Sequence, residues 1–138
     1  MLPANVPYRW VSMDISKISG KYAAEEVWAM YRNPESGPQL AVIHADLLSA
    51  MCNAKRLMIL NLLTQGEIGV GELSTSIGLS QSALSQHLAV LRNHKLVKTR
   101  RDQQKIFYSS ASDEVAAILD VLRDIFGEPS GVRKTASS

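Results

Sequence analysis

The sequence predicts a mainly α-helical fold that carries one small β-hairpin. Apolar residues recur at helical spacing in five segments between residues 38 and 127. Two short runs, residues 96–101 and 105–109, are instead rich in β-branched and aromatic residues, and polar residues separate them. That pattern is typical of a hairpin. A third observation is the Gly78-Leu79-Ser80 turn, which joins two of the helical segments closely.

The 138 residues suffice for one ordinary domain with a core. We expect an N-terminal extension and linker over residues 1–37, with a short helix over 21–31. We expect the domain over residues 38–127 and a flexible tail over 128–138. No segment approaches the ~20 apolar residues of a membrane span, and no signal peptide is evident. The single cysteine fits a reducing cytoplasm.

The first three helices are predicted from their apolar faces and their ends. The first helix has its face at Leu40, Ile43, Leu47 and Met51. The second is expected over residues 54–63, capped by Asn53 and apolar almost all round, which predicts a central buried helix. The third buries Val70, Leu73 and Ile77, and Gly78 ends it because glycine tolerates positive φ.

The fourth helix has an apolar face and an opposite polar face. Ser80 is a good N-cap, and Leu84, Leu88 and Leu91 fall on one side at helical spacing. Gln81 lies in the first turn. The remaining outward positions carry small or polar side chains: Ser82, Ser85, Gln86, Ala89 and Asn93.

The last helix is predicted to begin after Ser112, with Asp113 and Glu114 complementing its dipole. Its apolar stripe is broad and comprises Val115, Ile118, Leu119, Leu122, Ile125 and Phe126. We infer that this stripe pairs with the first helix across a dimer interface; the alternative is that it closes the core of a monomer. The order of elements predicts a winged helix-turn-helix, a fold whose second motif helix enters the DNA major groove.

The charge distribution agrees with a nucleic-acid partner. Residues 53–110 hold eight Lys/Arg and three Asp/Glu, whereas the rest of the chain holds seven and ten. Positive charge is therefore concentrated around the suspected reading helix, where it would release counterions from phosphate. A solvated charged surface without a partner is the alternative.

Residues 45–126 resemble the ArsR family of dimeric bacterial repressors. The resemblance rests on residues 48–56 (LSAMCNAKR), 79–88 (LSQSALSQHL) and 91–97 (LRNHKLV), and on the Ile106-Phe107-Tyr108 of the hairpin. It implies a homodimer that represses transcription by occupying a partly palindromic operator.

The resemblance also implies where metal sensors of the family bind their ions. Thiol ligands of the third helix correspond to Gly69 and Gly71 here, so the soft-metal site is absent. The zinc ligands of the last helix correspond to Ser112, Glu114, Ile125 and Glu128, which cannot form a tetrahedral site. We therefore expect no metal and no cofactor.

Three further alternatives stay open at this point. Cys52 lies next to a helix N-terminus, which allows a thiol- or ligand-responsive sensor as well as a small residue in a helix junction. Lys55 and Arg56 could bind phosphate, or Arg56 could tie the second helix to its neighbours. A winged helix can also serve protein interaction. No catalytic constellation is evident, since Ser85 and His87 diverge on their helix, so we expect no enzyme.

Gln81 and Gln86 can bind adenine bidentately, and no Arg or Lys suited to guanine lies in the first two turns, which predicts an adenine- and thymine-rich operator. The hairpin carries cations for phosphate and glutamines for the minor groove. Many family members have a glycine in the hairpin turn, where this chain has Gln103, and this leaves the path of the hairpin open. The expected DNA-binding residues are Ser80, Gln81, Ser82, Ser85, Gln86, His87, Arg92, Arg100, Arg101, Gln103, Gln104 and Lys105.

Overall fold

The computed structural model of this chain describes residue 29 and residues 32–127. Apart from Ala29, which is helical, the short helix expected over residues 21–31 lies outside the described residues, as does the expected tail from residue 128.

Five helices and three strands follow one another along the described residues. The helices are α1 (Gly37–Met51), α2 (Ala54–Leu63), α3 (Val70–Ile77), α4 (Gln81–Asn93) and α5 (Asp113–Phe126). The strands are β1 (Ile68–Gly69), β2 (Val97–Asp102) and β3 (Lys105–Ser110). This order confirms the predicted mainly helical fold with a hairpin between the fourth and fifth helices.

Side-chain caps define three of the helix starts, as the sequence predicts. Asn53 Oδ1 accepts from the amides of Lys55 and Arg56 at 2.9 and 3.1 Å. Ser80 Oγ accepts from Ala83 N at 3.2 Å, and Ser112 Oγ accepts from Val115 N at 3.3 Å. Each cap satisfies amide groups that the first turn of a helix leaves without a partner.

The hairpin belongs to a small antiparallel sheet with the strand order β1-β3-β2. β2 and β3 pair from Val97 opposite Ser110 to Asp102 opposite Lys105. The two residues of β1 pair with Tyr108 and Phe107 of β3. β1 is not predicted from the sequence, because two residues are too few to show an alternating pattern.

The core lies between the helices and the inner face of the sheet. Leu84, Leu88 and Leu91 of α4 are buried, which confirms the predicted inner face of that helix. Ile59, Leu60 and Leu63 of α2 are also buried and lie at the centre. The rest of the buried apolar set is Ala50, Met51, Leu73, Ile77, Leu96, Val97, Tyr108, Val115 and Leu119.

Two residues of the predicted apolar patterns are exposed in the single chain. Ile43 belongs to the apolar face predicted for α1, and 61% of it is exposed. α2 is not buried all round, because Met58 is 44% exposed. α1 and α5 both contact α2, as do α3, α4 and β3. No helix within residues 32–127 is long and apolar enough to cross a membrane.

Candidate nucleic-acid interface

The turn between α3 and α4 is held at several points, and it fixes the direction of α4. Gly78 ends α3 in the left-handed conformation, with φ 71° and ψ 41°. The Ser74 hydroxyl donates to Leu79 O at 2.6 Å, and Leu79 N donates back to Ser74 O at 3.1 Å. From α2, Lys55 Nζ donates to Ile77 O at 3.1 Å. The turn is therefore bonded both within itself and to the helix beneath it.

α4 presents polar groups that the fold does not use. Gln81, Ser85 and Gln86 are exposed. Among residues 32–127, none of these three side chains makes a hydrogen bond or an ion pair. The opposite face of α4 is buried in the core, so the helix cannot rotate to hide these groups. Their donors and acceptors are available to an external partner.

Three other predicted residues of α4 lie in different settings. The Ser80 hydroxyl caps the helix, and it lies 3.2 Å from Ser82 Oγ. The Ser80 hydroxyl is therefore already engaged in capping α4. His87 is half-buried on the flank of the helix, whereas Arg92 is exposed in its last turn.

The tip of the hairpin follows a defined path without glycine. Gln103 has φ 54°, and Gln104 follows it before β3 begins at Lys105. Positive φ at the first of two turn residues is typical of a type II′ hairpin turn, where glycine is preferred. Arg101 Nε donates to Gln103 O at 3.1 Å. The hairpin therefore turns at Gln103 and Gln104 without the glycine that many family members have there.

A groove separates the start of α4 from the hairpin. Gln81 lies on one wall, and Gln104 and Lys105 lie on the other. Gly71 and Glu72 of α3 line the same groove. Two predicted DNA-binding regions, far apart in sequence, thus face one another across a common concave surface.

Arg100 was predicted to bind phosphate, but the structure places its guanidinium on a carboxylate. Arg100 Nη2 donates to Glu67 Oε1 at 2.7 Å, and Nε lies 3.1 Å from both carboxylate oxygens. These hydrogen bonds, more than the nearby positive charge, hold the pKa of Glu67 below its usual value of 4.5. The hydrogen bond and charge of Glu67 raise the pKa of Arg100.

Sequence reasoning missed Glu67, because the pair spans 33 residues and no local spacing connects them. The signal that could have found it is weak: Glu67 is one of only three acids in the cation-rich residues 53–110.

Lys55 and Arg56 bind backbone carbonyls. Arg56 Nε donates to Ala50 O at 2.5 Å, and Nη2 donates to Ser49 O at 3.2 Å, at the end of α1. Lys55 holds the end of α3, as described above. Both cations therefore join helices, which favours the structural interpretation that the sequence left open.

The residues at the metal positions do not fit a metal ion. The N-terminal positions of α3 offer Gly69 and Gly71, which have no ligand atoms in their side chains. At the start of α5, Ser112 caps the helix and donates to Glu114 Oε2 at 2.7 Å. Within the described part of the chain, no three His, Cys, Asp or Glu side chains lie close enough to hold a metal. Cys52 is exposed at the end of α1.

A bonded turn, a second helix with an exposed polar face and an adjacent cationic hairpin together define a winged helix-turn-helix domain. Residues 53–99 match the family described as bacterial regulatory protein, arsR family. The chain is 58% identical to the nodulation protein NolR of Rhizobium meliloti over 88 residues, 64% of this chain and 72% of that protein. It is 51% identical to the transcriptional activator HlyU of Vibrio cholerae over 80 residues, 58% of this chain and 74% of that protein.

Solved structures agree with these relatives. The crystal structure of NolR from Sinorhizobium fredii aligns with a TM-score of 0.65 at 55% identity, covering 69% of this chain and 94% of that one. The repressor BigR from Xylella fastidiosa aligns with a TM-score of 0.62 at 39% identity, covering 64% and 91%. The chain belongs to the arsR family of bacterial regulatory proteins. It is a DNA-binding transcriptional regulator that is similar to NolR.

Proposed function

We propose that this chain is a homodimeric repressor that occupies an operator and thereby blocks transcription. The observation that carries the proposal is the set of unused polar groups on α4, beside a cationic hairpin. A face that is polar, exposed and fixed by a buried opposite side is what base reading in the major groove requires. Among the relatives, proteins of Agrobacterium fabrum and Xylella fastidiosa are named biofilm growth-associated repressors.

Base recognition is assigned to the first two turns of α4. Gln81 and Gln86 would bind adenine through paired donor and acceptor groups, and Ser82 and Ser85 would reach base edges or phosphate. The exposed positions of these turns carry no guanidinium or ammonium group that would select guanine. An adenine- and thymine-rich half-site follows from this composition.

Phosphate binding is assigned to Arg92, Arg101 and Lys105, which are exposed and form no ion pair among the residues described. Such contacts set the orientation of the protein on the duplex and supply salt-dependent affinity. Gln103 and Gln104 at the tip of the hairpin would enter the neighbouring minor groove. The groove between α4 and the hairpin would then receive one DNA backbone.

The dimer is supported by apolar surface that the single chain leaves uncovered. Val42, Ile43 and Leu48 of α1 are 60%, 61% and 55% exposed, and Phe126 of α5 is 53% exposed. A solution structure similar to this chain, that of Mb0332 from Mycobacterium bovis, is described as homodimeric, with a TM-score of 0.58 at 31% identity. A two-fold dimer places two reading helices about 34–36 Å apart, which matches a partly palindromic operator.

We propose that the amount of this protein controls repression, because the metal positions of the family do not fit an ion here. The protein would act as a binding protein rather than an enzyme, in the cytoplasm where the DNA lies. A second candidate is control through Cys52, which its exposure favours. Oxidising the purified protein and measuring operator affinity again separates the two, since only the second candidate expects a change.

The test begins with selection of bound duplexes from a random pool by the full chain. Binding to the selected duplex and to a scrambled duplex is then measured at several salt concentrations. Gln81→Ala or Gln86→Ala should weaken binding to the selected duplex by about 1–3 kcal/mol, with little effect on the scrambled one. Arg101→Ala should weaken both and make the salt slope shallower by about 0.9.

Gln65→Ala is the matched control, because Gln65 is an exposed glutamine outside α4 and the hairpin. It should bind both duplexes as the unmodified chain does. Absence of any enriched sequence would contradict the proposal, and so would α4 variants that keep the full preference for the selected duplex.

A further inference from the structure

The ion pair of Glu67 and Arg100 crosses the small sheet. Glu67 immediately precedes β1, and Arg100 lies on β2, while β3 runs between these two strands. Arg100 lies opposite Phe107 in the pairing of β2 with β3, and Gly69 lies opposite Phe107 on the other side. The guanidinium therefore reaches the carboxylate over the middle strand.

Phe107 supports the guanidinium from below. The Arg100 guanidinium carbon lies 4.8 Å from the centre of the Phe107 ring, a distance at which a cation and a ring attract each other. The Phe107 ring also lies close to Gly69, where an added Cβ would be 3.5 Å from Phe107 Cε1, an ordinary van der Waals distance. The side chains of Glu67, Arg100 and Phe107 thus connect the loop before β1 to the hairpin, and we call this connection the strap.

The strap also places negative charge around the Arg100 guanidinium. Arg100 Nη1 lies 3.7 Å from Asp102 Oδ2 in addition to its contact with Glu67. Two carboxylates therefore face one guanidinium. Among the described residues, the other hairpin cations, Lys98, Arg101 and Lys105, form no ion pair. Arg100 is therefore the hairpin cation that carboxylates hold at short distance, although the charge of Lys98 also acts on Glu67.

We propose that Glu67 is a specificity-determining positioning residue, which holds the hairpin against the helical body and withholds Arg100 from sequence-independent phosphate binding. This inference rests on the proposed DNA-binding function. Phosphate contacts supply affinity for any duplex, whereas base contacts discriminate. An acid that occupies one cation lowers affinity for all sequences and so improves the ratio of operator to random DNA.

The contacts of Arg100 with both Glu67 oxygens also restrict the orientation of its guanidinium. A planar guanidinium that binds two oxygens and stacks on a ring has little rotational freedom. The hairpin is thereby held at one angle relative to α4, and the groove between them keeps its width.

The experiment compares the unmodified chain, Glu67→Gln, Arg100→Ala and the double variant. The probes are a duplex selected from a random pool and a scrambled duplex of the same composition. Glu67→Gln should add one phosphate contact, so the salt slope for scrambled DNA becomes more negative by about 0.9. Scrambled-DNA affinity would then fall about threefold more between 50 and 200 mM salt. Preference for the selected duplex should fall, and none of these changes should occur without Arg100.

Glu35→Gln is the charge-matched control, since it removes the same charge from an exposed position outside α4, the hairpin and the groove between them. Glu67 and Arg100 side chains are 36% and 53% exposed, so their substitution leaves the core intact, which thermal unfolding verifies. An unchanged slope in Glu67→Gln would overturn the inference, as would the same change in the Arg100→Ala background or in Glu35→Gln. If the unmodified chain selects no sequence, the proposed function fails and this inference fails with it. If the chain selects a sequence and Glu67→Gln discriminates equally well, only this inference fails.

Discussion

Gly78 and Gly71 belong to the same short segment, but only Gly78 has a backbone conformation that other residues avoid. Gly78 has φ 71° at the end of α3 and forms the turn that aims α4. Gly71 lies in the first turn of α3 without positive φ, and no atom lies within 4 Å of the place that a Cβ would take. The two glycines therefore separate the effect of backbone strain from the effect of an added methyl group.

Gly78→Ala should lower the free energy of unfolding by about 1–2 kcal/mol, which is the cost of the left-handed conformation for an ordinary residue. Gly71→Ala should raise it by up to ~1 kcal/mol, because alanine favours a helix. Urea denaturation of both variants measures these changes. Equal destabilisation by the two substitutions would contradict the role assigned to Gly78.

Glu67 makes a pH-dependent contribution whose sign follows from its lowered pKa. A carboxyl whose pKa falls on folding stabilises the folded state above its unfolded pKa and loses that contribution as pH falls through the folded pKa. The Glu67 carboxyl should titrate below 4.5 in carboxyl-detected NMR. The stability difference between the unmodified chain and Glu67→Gln should stay constant from pH 7 to pH 5 and vanish at lower pH.

Arg100→Ala provides the control for this titration. Because the hydrogen bonds from Arg100 are the largest cause of the shift, their removal should return the pKa of Glu67 toward its usual value. A Glu67 carboxyl that titrates in the same place with and without Arg100 would show that the pair does not form in solution.

Helix ends were predictable at the level of single elements because their determinants are local. Asn53, Ser80 and Ser112 each stand immediately before the helix that they cap, and a side chain needs only the next three residues to do so. β1 was not predictable, since its pairing with β3 is set by residues about forty positions away. A separation of 33 residues likewise concealed the pair of Glu67 and Arg100. Local signals thus give the elements, and non-local contacts decide how the hairpin is held.

Lys95 shows an element boundary that the sequence does not reveal. It follows α4 with φ 58°, and the amides of Lys95 and Leu96 donate back to Arg92 O and Leu91 O at 2.9 and 3.0 Å. This is a helix end of the kind that glycine usually occupies. Lys95 therefore has a strained backbone, two residues before β2 begins at Val97.

Lys95→Gly should therefore raise the melting temperature, with a gain of up to ~1 kcal/mol once the greater freedom of the unfolded chain is counted. Lys98→Gly is the matched control, because it removes the same charge from β2 without positive φ, and it should destabilise by about 0.5–1 kcal/mol. Thermal unfolding at high salt, where surface charge matters little, compares them. A lower melting temperature for Lys95→Gly would show that its side chain contributes more than the strain costs.

At the scale of the molecule, apolar residues fall into a covered set and an uncovered set. The covered set surrounds α2 and accounts for the core. Most of the uncovered set lies on α1 and α5, which both pack on α2 and expose Ile43, Leu48, Val121 and Phe126; Met58 of α2 and Ile106 of β3 are exposed as well. Periodicity predicted these helices and the apolar face that includes Ile43, but an apolar pattern alone does not distinguish a core from an interface between chains.

Ile43→Glu tests whether the uncovered set is a dimer interface. A carboxylate buried without a partner at the contact should raise the dimer dissociation constant at least ~30-fold, equivalent to about 2 kcal/mol. Each protomer would then bind one half-site, so the operator affinity that depends on linked binding should fall by ~10²-fold or more. The fold of the protomer should persist, because Ile43 is 61% exposed in the single chain.

Gln65→Glu adds the same charge to an exposed position outside α1 and α5 and should leave the dimer intact, which separates burial of the charge from its presence. Sedimentation equilibrium measures assembly, and titration with the selected duplex measures binding. If Ile43→Glu assembles and binds as the unmodified chain does, α1 does not form the interface. If Ile43→Glu becomes monomeric yet keeps full operator affinity, the two reading helices do not act as a pair. The proposal that this protein recognises a palindromic operator would then be wrong.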